Sequence, residues 1–143
     1  MIRLACFLSA FLWASSAFAF EVDLSLIREI ESGGCKSPCV GDSGLALGEF
    51  QLHKGAVSDA SRYLRASYSH QDALEPKKAW ILANAYLNGV IPSYLRHYGL
   101  KDDLTNRLTA YNMGIGAVKK GLSASKYVTK YKNLERKKHG TTN

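Results

Sequence analysis

Glu31 and Asp42 are the two carboxylates whose surroundings suit acid–base chemistry. Val22, Leu26, Ile27 and Ile30 recur at helical spacing in the segment leading to Glu31, and Ser32, Gly33 and Gly34 follow it with the residue type that ends helices. The pattern predicts a short helix with Glu31 as its last residue. A carboxylate there faces the negative end of the helix dipole, which disfavours its charged form, and partial burial pushes the same way. Such a group stays protonated near neutral pH, as a general acid must. The plain alternative is a solvated helix-end Glu. Asp42 lies eleven positions on, in a loop from Cys35 to Gly44 rich in Gly, Ser, Asp and Pro. Either it acts as a nucleophile or as base for a water, or it only closes the turn Gly41-Asp42-Ser43-Gly44.

Beyond the loop, Ala46 and Gly48 are small enough for backbone to approach a ligand, and the Gln51 amide can both donate and accept. Glu49 is polar, could face solvent and is given no role. His53 comes with no carboxylate or nucleophile motif and reads as solvated or capping. Later, Tyr111 reads either as a core aromatic with a satisfied hydroxyl or as a phenol near Glu31, bonding the acid or a substrate acetamido group. Asn112, with Gly114 and Gly116 after it, marks a helix exit where backbone can approach a ligand.

Three ordered motifs carry a resemblance: ESGG at Glu31, ALGEFQLH from Ala46, and LTAYNMGIGAV from Leu108. Together they resemble the lysozyme-like lytic transglycosylases, and goose-type and invertebrate-type lysozymes as their relatives. The match covers most of the chain from Val22 to about Tyr131. The resemblance implies Glu31 as catalytic acid and Gln51 as a sugar-contacting amide. It further implies Tyr111 and Asn112 on the opposite wall, with Ser32, Gly48 and Phe50 also facing substrate. Glu49 and Phe50 depart from the commoner Leu-Met of that pattern. The resembled transglycosylases generally manage with one acid, whereas invertebrate-type lysozymes use an additional Asp in about the place of Asp42. The implied substrate is the β-1,4 bond between N-acetylmuramic acid and N-acetylglucosamine in peptidoglycan strands. The implied product is a 1,6-anhydro sugar, formed without metal or cofactor.

The elements that must position these residues read as helices. Residues 54 to 65 form one; from Pro76 the apolar residues Trp80, Ala83, Leu87, Val90, Ile91, Tyr94 and Tyr98 mark a long one. Gly89 and Pro92 either kink it or divide it in two. Asn84 and Asn88 lie where transglycosylases often place a polar cleft residue. Asp102 or Asp103 caps the helix of Leu104, Leu108 and Tyr111, and Ser123 caps a last helix from Ala124 to about Lys138 with Tyr127, Val128, Tyr131 and Leu134 inward. HGTTN reads as a frayed end. The expectation is an all-α, single lysozyme-like domain of about six or seven helices around a glycan-binding cleft.

MIRLACFLSAFLWASSAFA reads as a signal peptide cleaved after Ala19, leaving one domain over residues 20 to 143. Its apolar run is too short to span a bilayer, so the mature chain is no integral membrane protein, and it goes to the periplasm or beyond. Cleavage removes Arg3 and Cys6, taking the formal charge from +7 to +6 and the cysteines from three to two. In an exported chain Cys35 and Cys39 then read as a disulfide; the alternative is a metal pair completed by His53 or His70. The positive charge suits polyanions such as cell-wall polymers or acidic membrane faces. Export and the spread of basic residues, apart from Arg136, Lys137 and Lys138, argue against nucleic acid. The chain reads as a monomer, with a secretion or conjugation apparatus as a conceivable partner. A non-catalytic glycan-binding protein and a cationic membrane-active protein are the readings from other classes. No repeat, phosphate-cradling glycine loop or nucleophilic Ser or Cys setting is present.

Overall fold

The computed structural model describes residues 20–33 and 39–140. Its architecture is mostly α, as in lysozyme-like domains, with seven α-helical segments among the described residues and one small sheet. The expected signal segment and Cys35 lie outside the described residues.

Helix α1 spans Leu24–Ser32, opened by the Asp23 carboxylate accepting from the Ser25 N–H and closed by Gly33 in the left-handed conformation, φ 58°. Glu31 is thus its penultimate residue, since the chain turns left-handed only at Gly33. Leu24, Leu26 and Ile27 are buried, each contributing about 1.5–3 kcal/mol of apolar burial.

The polar stretch after α1 makes three two-residue strands that the sequence pattern did not announce: β1 (Val40–Gly41), β2 (Ala46–Leu47) and β3 (Leu52–His53). They pair antiparallel in that order, Gly41 facing Ala46 and Leu47 facing Leu52. Two residues per strand give no alternation to read. Gly48 is fixed in place here. Its φ is +75°, its N–H donates to the Cys39 carbonyl at 2.7 Å, and a Cβ would stand 1.7 Å from the Ala73 carbonyl oxygen. Gly48→Ala is expected to lose at least about 2 kcal/mol in urea unfolding, because backbone rather than a flexible side chain would have to move.

Helix α2 (Lys54–Leu64) ends at Arg65, itself left-handed at φ 53°. A 3-10 turn at His70–Leu74, opened by a reciprocal Ser69 and Asp72 capping box, leads to α3 (Pro76–Ala85). The Gly89 and Pro92 ambiguity resolves as neither a break nor a new start. Tyr86–Val90 form a π-helical turn that runs directly into α4 (Ile91–His97), with φ and ψ helical at both junctions. The wider turn accommodates Pro92, which lacks an N–H and would crowd the carbonyl four residues back. Gly89 lets α2 approach, for a Cβ there would lie 2.5 Å from the Tyr63 ring. Trp80 and Tyr98, expected inward, are 41% and 43% exposed. Trp80 meets Phe50 edge-on at 5.5 Å, and Tyr98 lies under the Lys119 ammonium at 4.0 Å.

Asp103 caps α5 (Leu104–Met113), and α6 (Ile115–Lys119) follows at Gly114. The last helix, α7, spans Ser125–Gly140. Ser123 is not its cap: Ala124 precedes the helix, and its N–H donates to the Thr109 hydroxyl at 3.1 Å.

Helix α7 lies antiparallel to α1 and grips it along its length. Tyr127 reaches Glu31, Lys130 donates to the Ile30 carbonyl, the Tyr131 hydroxyl accepts from the Asp23 N–H, and Lys138 pairs with the Asp23 carboxylate. The segment before α1 is fastened from elsewhere too. Asn88 bonds both backbone groups of Val22, and Arg107 donates to the Phe20 carbonyl while its guanidinium covers the Phe20 ring.

Candidate active site

Glu31 is half-buried, and burial raises its carboxyl above the ordinary range. Three groups oppose that shift: the Tyr127 hydroxyl, which donates to Oε1 at 2.6 Å, and the charges of Lys130 and His53. Burial wins over them, so the acid holds its proton to higher pH than a solvated Glu. The expected helix-dipole effect acts in the same direction. In return, burial first and the Glu31 charge second hold the Tyr111 and Tyr127 phenols well above their ordinary range. Both phenols stay neutral and act as donors.

Gln51, Tyr111 and Asn112, which come from two motifs sixty residues apart, line one cavity of about 200 Å³ together with His53, Tyr86 and Gly114. The β2–β3 turn brings Gln51 there in the left-handed conformation, φ 48°. Its amide is held by the loop itself: Nε2 donates to the Gly48 carbonyl at 2.8 Å, and Oε1 packs so closely on Gly41 that a Cβ there would be 2.0 Å away. Strain of this kind in a non-glycine residue persists only where neighbours impose it.

Tyr111 does not bond the acid. Its hydroxyl donates to the Phe50 carbonyl at 2.7 Å, tying α5 to the loop, and its ring leans on Tyr86 at 6.0 Å. Phe50 lines no cleft, being fully buried. Its contribution to the site is the carbonyl that fixes Tyr111. The Ser32 hydroxyl turns back to the Arg28 carbonyl at 2.8 Å, and Asn112 is exposed at the end of α5.

Asp42 and Ser43 both adopt positive φ, 48° and 53°. The Asp42 side chain is 61% exposed and lies 3.7 Å from His53 Nε2. His53 therefore has a carboxylate partner that the sequence did not tie to it, and it stands at the first residue before α2 with its charge felt at Glu31. Glu49, given no role from the sequence, is largely covered and pairs with Arg28 at 3.7 Å. Asn88 and Asn84 bond each other, and Asn88 is spent on Val22 and Arg107. Among the described residues no three His, Cys, Asp or Glu side chains gather as cation ligands, and His70 bonds the Leu52 carbonyl. No helix of the described residues is long and apolar enough to cross a membrane.

Tyr127 is the functional neighbour that sequence reasoning missed. It was legible as an inward position of the last helix, but no local motif links it to a carboxylate 96 residues away.

The domain is mostly helical, with Glu31 half-buried against the Tyr127 phenol and Gln51 on the loop between β2 and β3. Residues 12–134 match the transglycosylase SLT domain, and the chain belongs to that family. Membership carries a transglycosylase type of activity directed at the glycosidic bonds of peptidoglycan. No curated protein and no solved structure matches the chain.

Proposed function

We propose that this chain is a lytic transglycosylase that cleaves the β-1,4 bond between N-acetylmuramic acid and N-acetylglucosamine and leaves a 1,6-anhydro end. The observation that carries the proposal is the state of Glu31: a carboxyl raised by burial, held by one phenol, and in electrostatic reach of His53 and Tyr111, which line a cavity together with Gln51 and Asn112. Glu31 protonates the bridging oxygen as the bond to the muramyl C1 breaks. The carboxylate then takes the proton of that sugar's own 6-hydroxyl, whose oxygen bonds C1. The acid is regenerated and no water is consumed. Gln51 and Asn112 orient the acetamido groups, with Gly48 and Ser32 shaping the rim.

The hydrolytic reading draws on the Asp42 and His53 pair, of which His53 lines the same cavity. Mass spectrometry of the fragments released from purified peptidoglycan separates the two. Anhydro-muropeptides are expected; reducing ends instead would assign hydrolysis and bring Asp42 into the chemistry. No product from a folded chain would leave a glycan-binding protein.

Tyr127→Phe tests the arrangement at the acid. Removing a donor that favours the carboxylate should raise the Glu31 pKa further, so the high-pH limb of the rate profile moves upward. Loss of the tether should lower turnover about tenfold. A profile superimposable on the wild type would mean that the phenol does not govern the acid.

Action on peptidoglycan puts the site of work outside the cytoplasm, consistent with cleavage after Ala19. A cystine between Cys35 and Cys39 is supported by the half-cystine state of Cys39 and by its burial against the loop. It would close the segment between Glu31 and the sheet.

A further inference from the structure

A second recess shares no lining residue with the cavity of Gln51, Tyr111 and Asn112. It is an open groove of about 740 Å³ that starts at Lys54, next to His53, and follows α2 to the turn beyond Arg65. Lys54, Arg62 and Arg65 line it, with the hydroxyls of Ser58, Ser67 and Tyr68 among them, and no carboxylate does. Two carboxylates stand nearby and both are engaged. Asp59 pairs with Arg62 at 2.9 Å and accepts from the Tyr94 hydroxyl, while Asp72 pairs with Lys78. Lys54 and Arg65 have no ion-pair partner among the described residues, and Ser58 and Ser67 have no hydrogen-bond partner there.

Arg65 adds a backbone observation. It closes α2 at φ 53°, a conformation that glycine adopts without strain and long side chains rarely do. A guanidinium is carried at the one position of the groove where the backbone favours its absence.

We infer that this groove binds a linear phosphodiester polymer, such as a polyol phosphate chain, at a site separate from the cavity of Gln51 and Tyr111. Guanidinium forks and hydroxyl donors together suit tetrahedral oxyanions. The eleven residues of α2, Lys54–Leu64, span about 16 Å, more than a single phosphate group needs. A recessed channel accepts a flexible strand, whereas a bilayer surface presents its phosphates on a plane. The chain's formal charge of +7 supplies long-range attraction to any polyanion, and the groove supplies a place for it to settle.

The test is the change in fluorescence anisotropy of labelled poly(glycerol phosphate) on titration with the protein at low ionic strength. Arg65→Gly relieves the backbone while removing the charge, so it folds at least as well and isolates the electrostatic contribution. It should weaken binding about fivefold. Adding Lys54→Gln and Arg62→Gln should weaken it about a hundredfold in all. Lys126→Gln with Lys132→Gln, exposed on α7, should leave binding within about twofold, because only diffuse attraction is lost. Equal losses in the α7 control, or no binding by the wild type, would overturn the proposal. So would binding to phosphatidylglycerol vesicles but not to the soluble polymer, which would assign the patch to a membrane. The readout is independent of cleavage, so its failure would leave the role of Glu31 untouched.

Discussion

Glu31→Gln is expected to yield a folded protein that releases soluble fragments from peptidoglycan about 10²–10⁴-fold more slowly, the range that a general acid supplies. The same protein should also melt at a higher temperature than the wild type near neutral pH. The second expectation follows from the direction of the Glu31 shift. A carboxyl whose folded pKa is raised contributes full stability only below its unfolded value, near the ordinary 4.5. That stability is lost as the pH climbs through the folded value. Glutamine keeps the shape and an oxygen for the Tyr127 hydroxyl, but never carries the charge that burial penalises. The two melting curves should therefore converge below about pH 4.5, and stand apart at pH 7. Circular dichroism at the two pH values, alongside fragment release, measures both. A less stable Gln variant at pH 7 would mean that the ionised acid is held favourably, and the general-acid reading would fail with it.

Arg107→Ala should cost about 3–5 kcal/mol, the usual penalty for removing one partner of a buried ion pair. Arg107 is 2% exposed and grips Asp102 with two nitrogens, at 2.6 and 3.0 Å. Its third nitrogen reaches the Phe20 carbonyl and the Asn88 amide oxygen, and its plane lies 4.1 Å over the Phe20 ring. Alanine would leave Asp102 with only the longer contact to Arg96 at 4.0 Å and release the segment that leads into α1. Urea unfolding should record the loss, and hydrogen exchange should accelerate first at residues 20 to 23. A loss below about 1 kcal/mol would place this cluster among surface pairs of little worth.

Periodicity was enough for the helices because their apolar stripes are long. The stripe of Leu26, Ile27 and Ile30 foretold α1, and Leu108 with Tyr111 foretold one face of α5. The π turn at Tyr86–Val90 was visible as a conflict, since Gly89 and Pro92 interrupt a stripe that otherwise continues. What resolved it was packing: Tyr63 sits against Gly89, and no local rule says so. The sheet was illegible for the opposite reason, its strands being too short to carry a period. At the candidate site, Gln51, Tyr111 and Asn112 do line one cavity, but their bonds differ from those the motifs suggested. Tyr111 and Tyr127 exchange the roles that the sequence suggested, because which of two inward phenols meets Glu31 depends on how α5 and α7 sit across the core. Glu49 and His53 went unassigned because their partners, Arg28 and Asp42, come from other elements.

The grip of α7 on α1 has an order in time. Glu31 lies near the beginning of the chain, and the hydroxyl that holds it arrives 96 residues later. The bonds of Tyr131 and Lys138 to Asp23 span 108 and 115 residues. A chain that emerges N-terminus first carries all three motifs before it carries the helix that holds Glu31. Until Ser125–Gly140 docks, the Glu31 carboxyl lacks its Tyr127 partner. On the role proposed for Glu31, the acid is completed only by the last helix to leave the ribosome.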